Sequence, residues 1–165
     1  MKELKSFFEE VYRSNYPKVV RLCMGYLNGD GDMAKDVAQE VFVKVWQHLE
    51  SFREESSIST WIYRISVNTC LLHIRDNKKK KVGSVERMKD IEDETDDVSK
   101  TGQLDQLYQC INSLSSTNRS VILLELEGLP QKEIADIMGI SHEAIRTRIH
   151  RIKNELTKCI HHVDV

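Results

Sequence analysis

The chain has few residues that break helices and none of the patterns that mark a membrane-embedded or secreted protein. Its 165 residues include only 7 glycines and 2 prolines, too few for the many tight turns of a β-sandwich. No apolar run approaches the roughly 18 to 20 residues that a bilayer span needs. The opening stretch, Met1 to Tyr16, lacks the apolar core of a signal peptide. A soluble, cytoplasmic protein without membrane insertion is expected. The four cysteines, Cys23, Cys70, Cys110 and Cys159, form no C-x-x-C pair and no metal-ligand spacing, so they are expected as reduced, mostly buried thiols. Cys159 with His161 and His162 is an incomplete zinc site. There is no nucleophile elbow, no Gly-rich phosphate loop and no carboxylate pair in a supporting context. Neither an enzyme nor a bound cofactor or metal is expected. A net charge of only -2 gives no global sign of a nucleic-acid partner, so the local distribution of charge has to decide.

What is present is helical periodicity. The spacing predicts helices through Leu4, Phe7, Phe8, Val11 and Tyr12, and again through Val19, Val20, Cys23 and Leu27. Asn28 to Asp32 reads as a turn that ends one helix and caps the next. From Ala34, the residues Val37, Val41, Phe42, Val45, Trp46 and Leu49 form one apolar face. A loop follows at Glu54 to Ser57, then a helix from about Thr60 to Asn77 with Ile62, Ile65 and Leu72 inward. Beyond Lys78 the apolar content collapses. Lys78 to Lys81 are basic, and Glu86 to Asp97 hold seven acids against Arg87 and Lys89. Such a segment buries too little apolar surface to offset its ordering entropy. Periodicity resumes at Leu104, Leu107, Ile111 and Leu114. The expected fold is all-α, with two small helical domains, residues 1–77 and 104–165, joined by a charged flexible linker over 78–103.

Gln131 to Lys153 reads as a helix-turn-helix. Ala135 is small enough for two helices to cross closely, Gly139 supplies the turn, and the Ser141 hydroxyl caps the second helix. On that helix Ile145, Ile149, Ile152 and Leu156 repeat at helical spacing, so the opposite face carries Glu143, Arg146, Thr147, His150 and Arg151, with Arg148 at the flank. Ser141 to Lys158 holds five Lys or Arg against two Glu. A dry face backed by a basic one suits docking in a major groove.

The run Asp36 to Trp46, then Phe52, then Ser59 to Asn68, resembles region 2 of extracytoplasmic-function sigma factors. Leu126 to Leu129, Glu133 to Ala135 and Ala144 to Arg151 are similar to their region 4. The resemblance covers nearly the whole chain outside the linker. It implies a promoter-recognising subunit that binds core RNA polymerase, at the β′ clamp helices and the β flap, together with promoter DNA. An anti-sigma factor or another recruiting protein is the implied regulatory partner. By this resemblance Asp36, Gln39, Glu40, Val43 and Gln47 form the stripe that docks on polymerase. Trp61, Arg64, Asn68 and Arg75 meet the melted -10 element; an Asn can read a base edge while flanking Arg hold phosphates. Arg146, Thr147, Arg148, His150 and Arg151 read the -35 element. The chain departs from the family pattern at Leu114-Ser115-Ser116 and at Pro130, where Ser or Thr usually caps the next helix. His150 stands where the family varies, so no promoter sequence carries over. The rival reading is a free-standing helix-turn-helix regulator with an N-terminal sensing domain.

Overall fold

The computed structural model describes residues 2–82 and 100–163, with the side chains of 2–78 and 102–161. Among them the chain forms seven α-helices, one 3-10 turn and no strand. Helix α1 (Lys2–Tyr26) buries Val11, Val19, Leu22, Cys23 and Tyr26, and this continuous stripe carries it past Pro17, which removes one donor from the ladder. Asn28 and Gly29 then turn the chain at φ 56° and 82°. The Asp30 carboxylate accepts from the Met33 amide at 3.1 Å and caps α2 (Gly31–His48). A 3-10 turn, Leu49–Ser51, leads to the loop and to α3 (Ile58–Val82), whose first turn is capped by Ser57 Oγ at 3.1 Å from the Thr60 amide.

α3 runs five residues beyond the Asn77 end that periodicity suggests. Lysines are good helix formers, and cations are favourable at a helix C-terminus. The acidic run Glu86 to Asp97 lies outside the described residues. The chain re-enters with α4 (Lys100–Asn112), α5 (Ser116–Leu126), α6 (Gln131–Met138) and α7 (His142–Val163). Ser115 caps α5, accepting from the Asn118 amide at 3.3 Å. Pro130 stands at the N-cap of α6, where its carbonyl accepts from Glu133 and Ile134. The residue that lacks a side-chain cap is therefore used where its fixed φ fits and no donor is needed.

Each half has its own apolar centre, Leu22, Val37, Val41, Val45 and Ile62 in one, Ile111, Ile122, Leu124, Ile134, Ile145 and Ile152 in the other. Full burial of one such side chain contributes about 1.5 to 3 kcal/mol. The halves also dock on each other, which no periodicity foretold. Gly25 on α1 lets the Leu123 side chain of α5 approach so closely that a Cβ at Gly25 would overlap it. Arg21 forms two hydrogen bonds with the carboxylate of Glu127, both 2.8 Å, and the Tyr63 hydroxyl donates to the same group at 3.3 Å. Tyr26 donates to Ser120, and the Asn112 amide to the Gly25 carbonyl. α6 crosses α3, where Thr60 donates to Glu133 and Arg64 to the Asp136 carbonyl.

Three side-chain expectations are corrected. Leu72 is 44% exposed, while Leu71 packs against the core; Leu72 falls four residues after Asn68 and so shares its outward face. Trp46, expected in the apolar stripe, is also 44% exposed. It falls seven residues after Gln39, on the outward side of α2. Of the four cysteines expected as thiols, Cys23 and Cys70 are free and buried, but Cys110 and Cys159 are joined in a disulfide. They are 49 residues apart in sequence, and only the packing of α4 against α7 brings them together.

Candidate nucleic-acid and partner-binding faces

Three outward faces can be built from these helices. On α2, the alternation of buried Val37, Ala38, Val41, Phe42 and Val45 leaves Asp36, Gln39, Glu40, Val43 and Gln47 exposed along one stripe. Gln39 and Val43 also border an open groove of about 620 Å³ against α1, floored by Phe8, Tyr12, Phe42 and Trp46. Phe8 and Trp46 meet edge to face with ring centres 5.2 Å apart. A polar stripe thus adjoins an aromatic groove, a composition suited to a protein partner. The sequence does not reveal the groove, because Phe8 and Trp46 pass as core residues on separate helices.

On α3, Asn68 and Arg75 are exposed, and Leu72 lies between them. Together with Ile74, Lys78 and Ser116 they line an open cleft of about 560 Å³. An amide, a bare apolar side chain and two cations form a surface that an unstacked base and its phosphates could occupy. Arg64 is half-buried and its guanidinium donates to the Asp136 carbonyl at 3.4 Å. Trp61 is half-buried too, tilted against Phe52 with ring centres 5.0 Å apart. The four residues expected on this face are therefore split. Asn68 and Arg75 are open to solvent, whereas Arg64 reaches the α6 contact and Trp61 packs against Phe52.

On α7 the turn geometry is as the sequence suggests. Gly139 adopts φ 67°, the amide of Ile140 bonds the Ala135 carbonyl at 3.1 Å, and Ser141 Oγ accepts from the Ala144 amide at 3.1 Å. Ala135 is 6% exposed and Ile145 fully buried, so α6 and α7 are locked at a fixed angle. Arg146, Thr147, His150 and Arg151 are all exposed on the far side. Arg148 is half-buried and donates to the Asn118 side-chain Oδ1 at 2.8 Å, which ties α7 to α5. Its neighbours keep their guanidinium groups free of protein ion pairs among the described residues.

Comparison with known proteins agrees with both halves. Residues 11–80 match the family Sigma-70 region 2, and residues 104–156 match Sigma-70, region 4. The chain is 32% identical over 156 residues to RNA polymerase sigma factor YlaC of Bacillus subtilis, covering 91% of this chain and 90% of that protein. It is 33% identical over 153 residues to the ECF RNA polymerase sigma-E factor of Escherichia coli K12, covering 84% and 78%. In fold it is similar to the sigma factor RpoE of Bartonella quintana, solved with the anti-sigma factor NepR, at a TM-score of 0.72 and 21% identity over 93% of this chain and 96% of that one. CnrH, solved with the cytosolic domain of CnrY, gives a TM-score of 0.70 at 22% identity, over 93% and 87%.

Proposed function

Because the chain belongs to the sigma-70 family, as an extracytoplasmic-function sigma factor that directs transcription initiation by RNA polymerase, we propose that it divides this work among the three faces. The α2 stripe, Asp36, Gln39, Glu40, Val43 and Gln47, docks on the β′ clamp helices of core polymerase. Asn68, Leu72 and Arg75 hold the melted -10 strand with Trp61, and Arg64 joins once α6 moves away. Arg146, Thr147, His150 and Arg151 read the -35 duplex, while Arg148 braces α7. In this reading 1–77 serves polymerase and the -10 element, 104–165 serves the -35 element, and the stretch between threads a basic polymerase channel. The protein acts by binding, not catalysis, in the cytoplasm where the polymerase works, and an anti-sigma factor is its natural regulator. The observation that carries the reading is the basic, solvent-facing side of α7, set by the Gly139 turn on the same chain as the Asn68 cleft.

A pull-down with core polymerase tests it directly. Retention of the protein, with promoter-specific transcripts from the reconstituted complex, is the expected result. Tight dimeric binding to paired half-sites with no polymerase retained would instead identify a free-standing regulator.

Two groups of substitutions separate the faces. Gln39→Ala combined with Glu40→Ala should weaken holoenzyme assembly, because both are exposed on the stripe and neither supports the core. Asn68→Ala should leave assembly intact and impair -10 opening, measured with permanganate reactivity of the melted strand. The reverse pattern would exchange the two assignments.

Arg146→Ala or Arg151→Ala should each lose about 1 to 3 kcal/mol of base discrimination if the guanidinium makes a bidentate contact. Polymerase binding should survive. Wild-type preference among -35 sequences in both variants would remove this face from promoter reading.

A further inference from the structure

The fold sorts the four cysteines into two pairs, one in each half, and the pairs differ in chemistry. The sulfurs of Cys23 on α1 and Cys70 on α3 lie 3.5 Å apart, hydrogen-bonded but not joined in a disulfide, and both are fully buried. The hydrogen bond to Cys23, followed by burial, pushes the Cys70 thiol well above the usual range. A dry, protonated thiol is a poor nucleophile, so this pair is a packing contact. Cys110 is also buried, but Cys159 is only half-buried, near the end of α7. One member of this pair can therefore meet a reagent from solution, and the two are bonded. Disulfides in a compartment held reducing by glutathione and thioredoxin are transient and redox-sensing rather than structural. That step rests on the reading that the chain works beside the polymerase.

The position of the bond gives it a consequence. α4 is one of the helices on which the second half leans on the first: the Tyr108 ring packs against Gly29, and Asn112 donates to the Gly25 carbonyl at 3.2 Å. Cys110 lies between them. Cys159 belongs to α7, the helix that carries Arg146 to Arg151. We propose that Cys110 and Cys159 are a reversible thiol–disulfide site whose closure by a low-molecular-weight disulfide fastens the docking helix α4 to the DNA-reading helix α7. The Cys159 thiolate attacks one sulfur of glutathione disulfide and releases one glutathione. Cys110, deprotonated, then displaces the second. Two protein thiols are oxidised to one disulfide, and one glutathione disulfide is reduced to two thiols. With the bond open, α4 keeps its apolar contacts through Leu107 and Ile111 and its contacts with Gly25 and Gly29, but loses its covalent tie to α7. A link across 49 residues shifts the folding equilibrium of the second half by about a thousandfold on chain-entropy grounds.

The test is a redox titration of the full-length protein in mixtures of reduced and oxidised glutathione, quenched in denaturant with a maleimide and counted by mass. Two free thiols at the oxidising end and four at the reducing end, with amide exchange of α4 slowing as the bond closes, is the expected result. Four free thiols at every ratio, or two at every ratio, would overturn the proposal. In Cys159→Ser the exchange of α4 should no longer respond to glutathione disulfide, whereas Cys23→Ser should retain the full response. Should Cys159→Ser fail to fold, the wild-type titration still decides. No step requires polymerase or promoter, so a negative result here leaves the transcriptional reading standing, and the converse also holds.

Discussion

Purified protein alone should bind a promoter duplex about a hundredfold more weakly than the protein assembled with core polymerase, at physiological salt and with the same DNA. The reason lies in the docked arrangement. α6 rests on α3 through the Thr60–Glu133 and Arg64–Asp136 contacts, and α1 meets α5 through Gly25 and Leu123. The Asn68 cleft even includes Ser116 from the second half. Both reading faces therefore belong to one compact body. Promoter elements about 17 base pairs apart lie about 55 to 60 Å from each other at roughly 34 to 36 Å per turn. We expect the two faces to reach both elements only after the halves part. If the open form is about 1% of the free protein, its apparent affinity falls by that same factor. In the proposed reading, polymerase removes this penalty by holding each half in place. The measurement is a fluorescence-anisotropy titration with and without core enzyme. Equal affinities in the two arms would mean that the docked form does not limit DNA binding.

Local chemistry made much of this legible in the sequence. The α6–α7 unit was readable because Ala135, Gly139 and Ser141 each do one job that few other residues can do, at fixed offsets from one another. The stripe on α2 was readable because five polar or isolated positions fall between five buried ones at helical spacing. Periodicity failed where a residue's neighbours come from another helix. Trp46 and Leu72 look like core residues by type, yet their outward direction is fixed by their distance from Gln39 and Asn68. The Cys110–Cys159 bond and the docking of the halves are long-range events. Glu127 illustrates this best. In sequence it is one acid before a Gly-Leu turn, but in the fold its side chain is 6% exposed and meets Arg21, 106 residues away.

Arg21→Ala should open the docked arrangement further than Glu127→Ala, although the two changes remove the same ion pair. The asymmetry comes from where each partner is left. The Arg21 side chain is 62% exposed and Glu127 only 6%, so truncating the acid releases a cation already facing water. The charge-assisted contact is lost, about 1 kcal/mol for a pair with one exposed partner, together with the long 3.3 Å hydrogen bond from the Tyr63 hydroxyl. Truncating Arg21 strands a buried carboxylate whose remaining partner is the Tyr63 hydroxyl at 3.3 Å. An uncompensated buried charge costs about 3 to 5 kcal/mol when fully enclosed, and about 2 to 3 is reasonable at this half-open edge. That penalty is relieved when the halves separate and Glu127 meets water, so it acts wholly against the docked form. The docked population should fall by about tenfold more in Arg21→Ala than in Glu127→Ala. Interdomain fluorescence transfer between labels on α2 and α7 reads the population. Binding of a single-stranded -10 oligonucleotide should rise in the same order, because Arg64 is released from Asp136. Equal opening in the two variants, or a double-mutant cycle with no coupling between Arg21 and Glu127, would show that this contact does not hold the halves together.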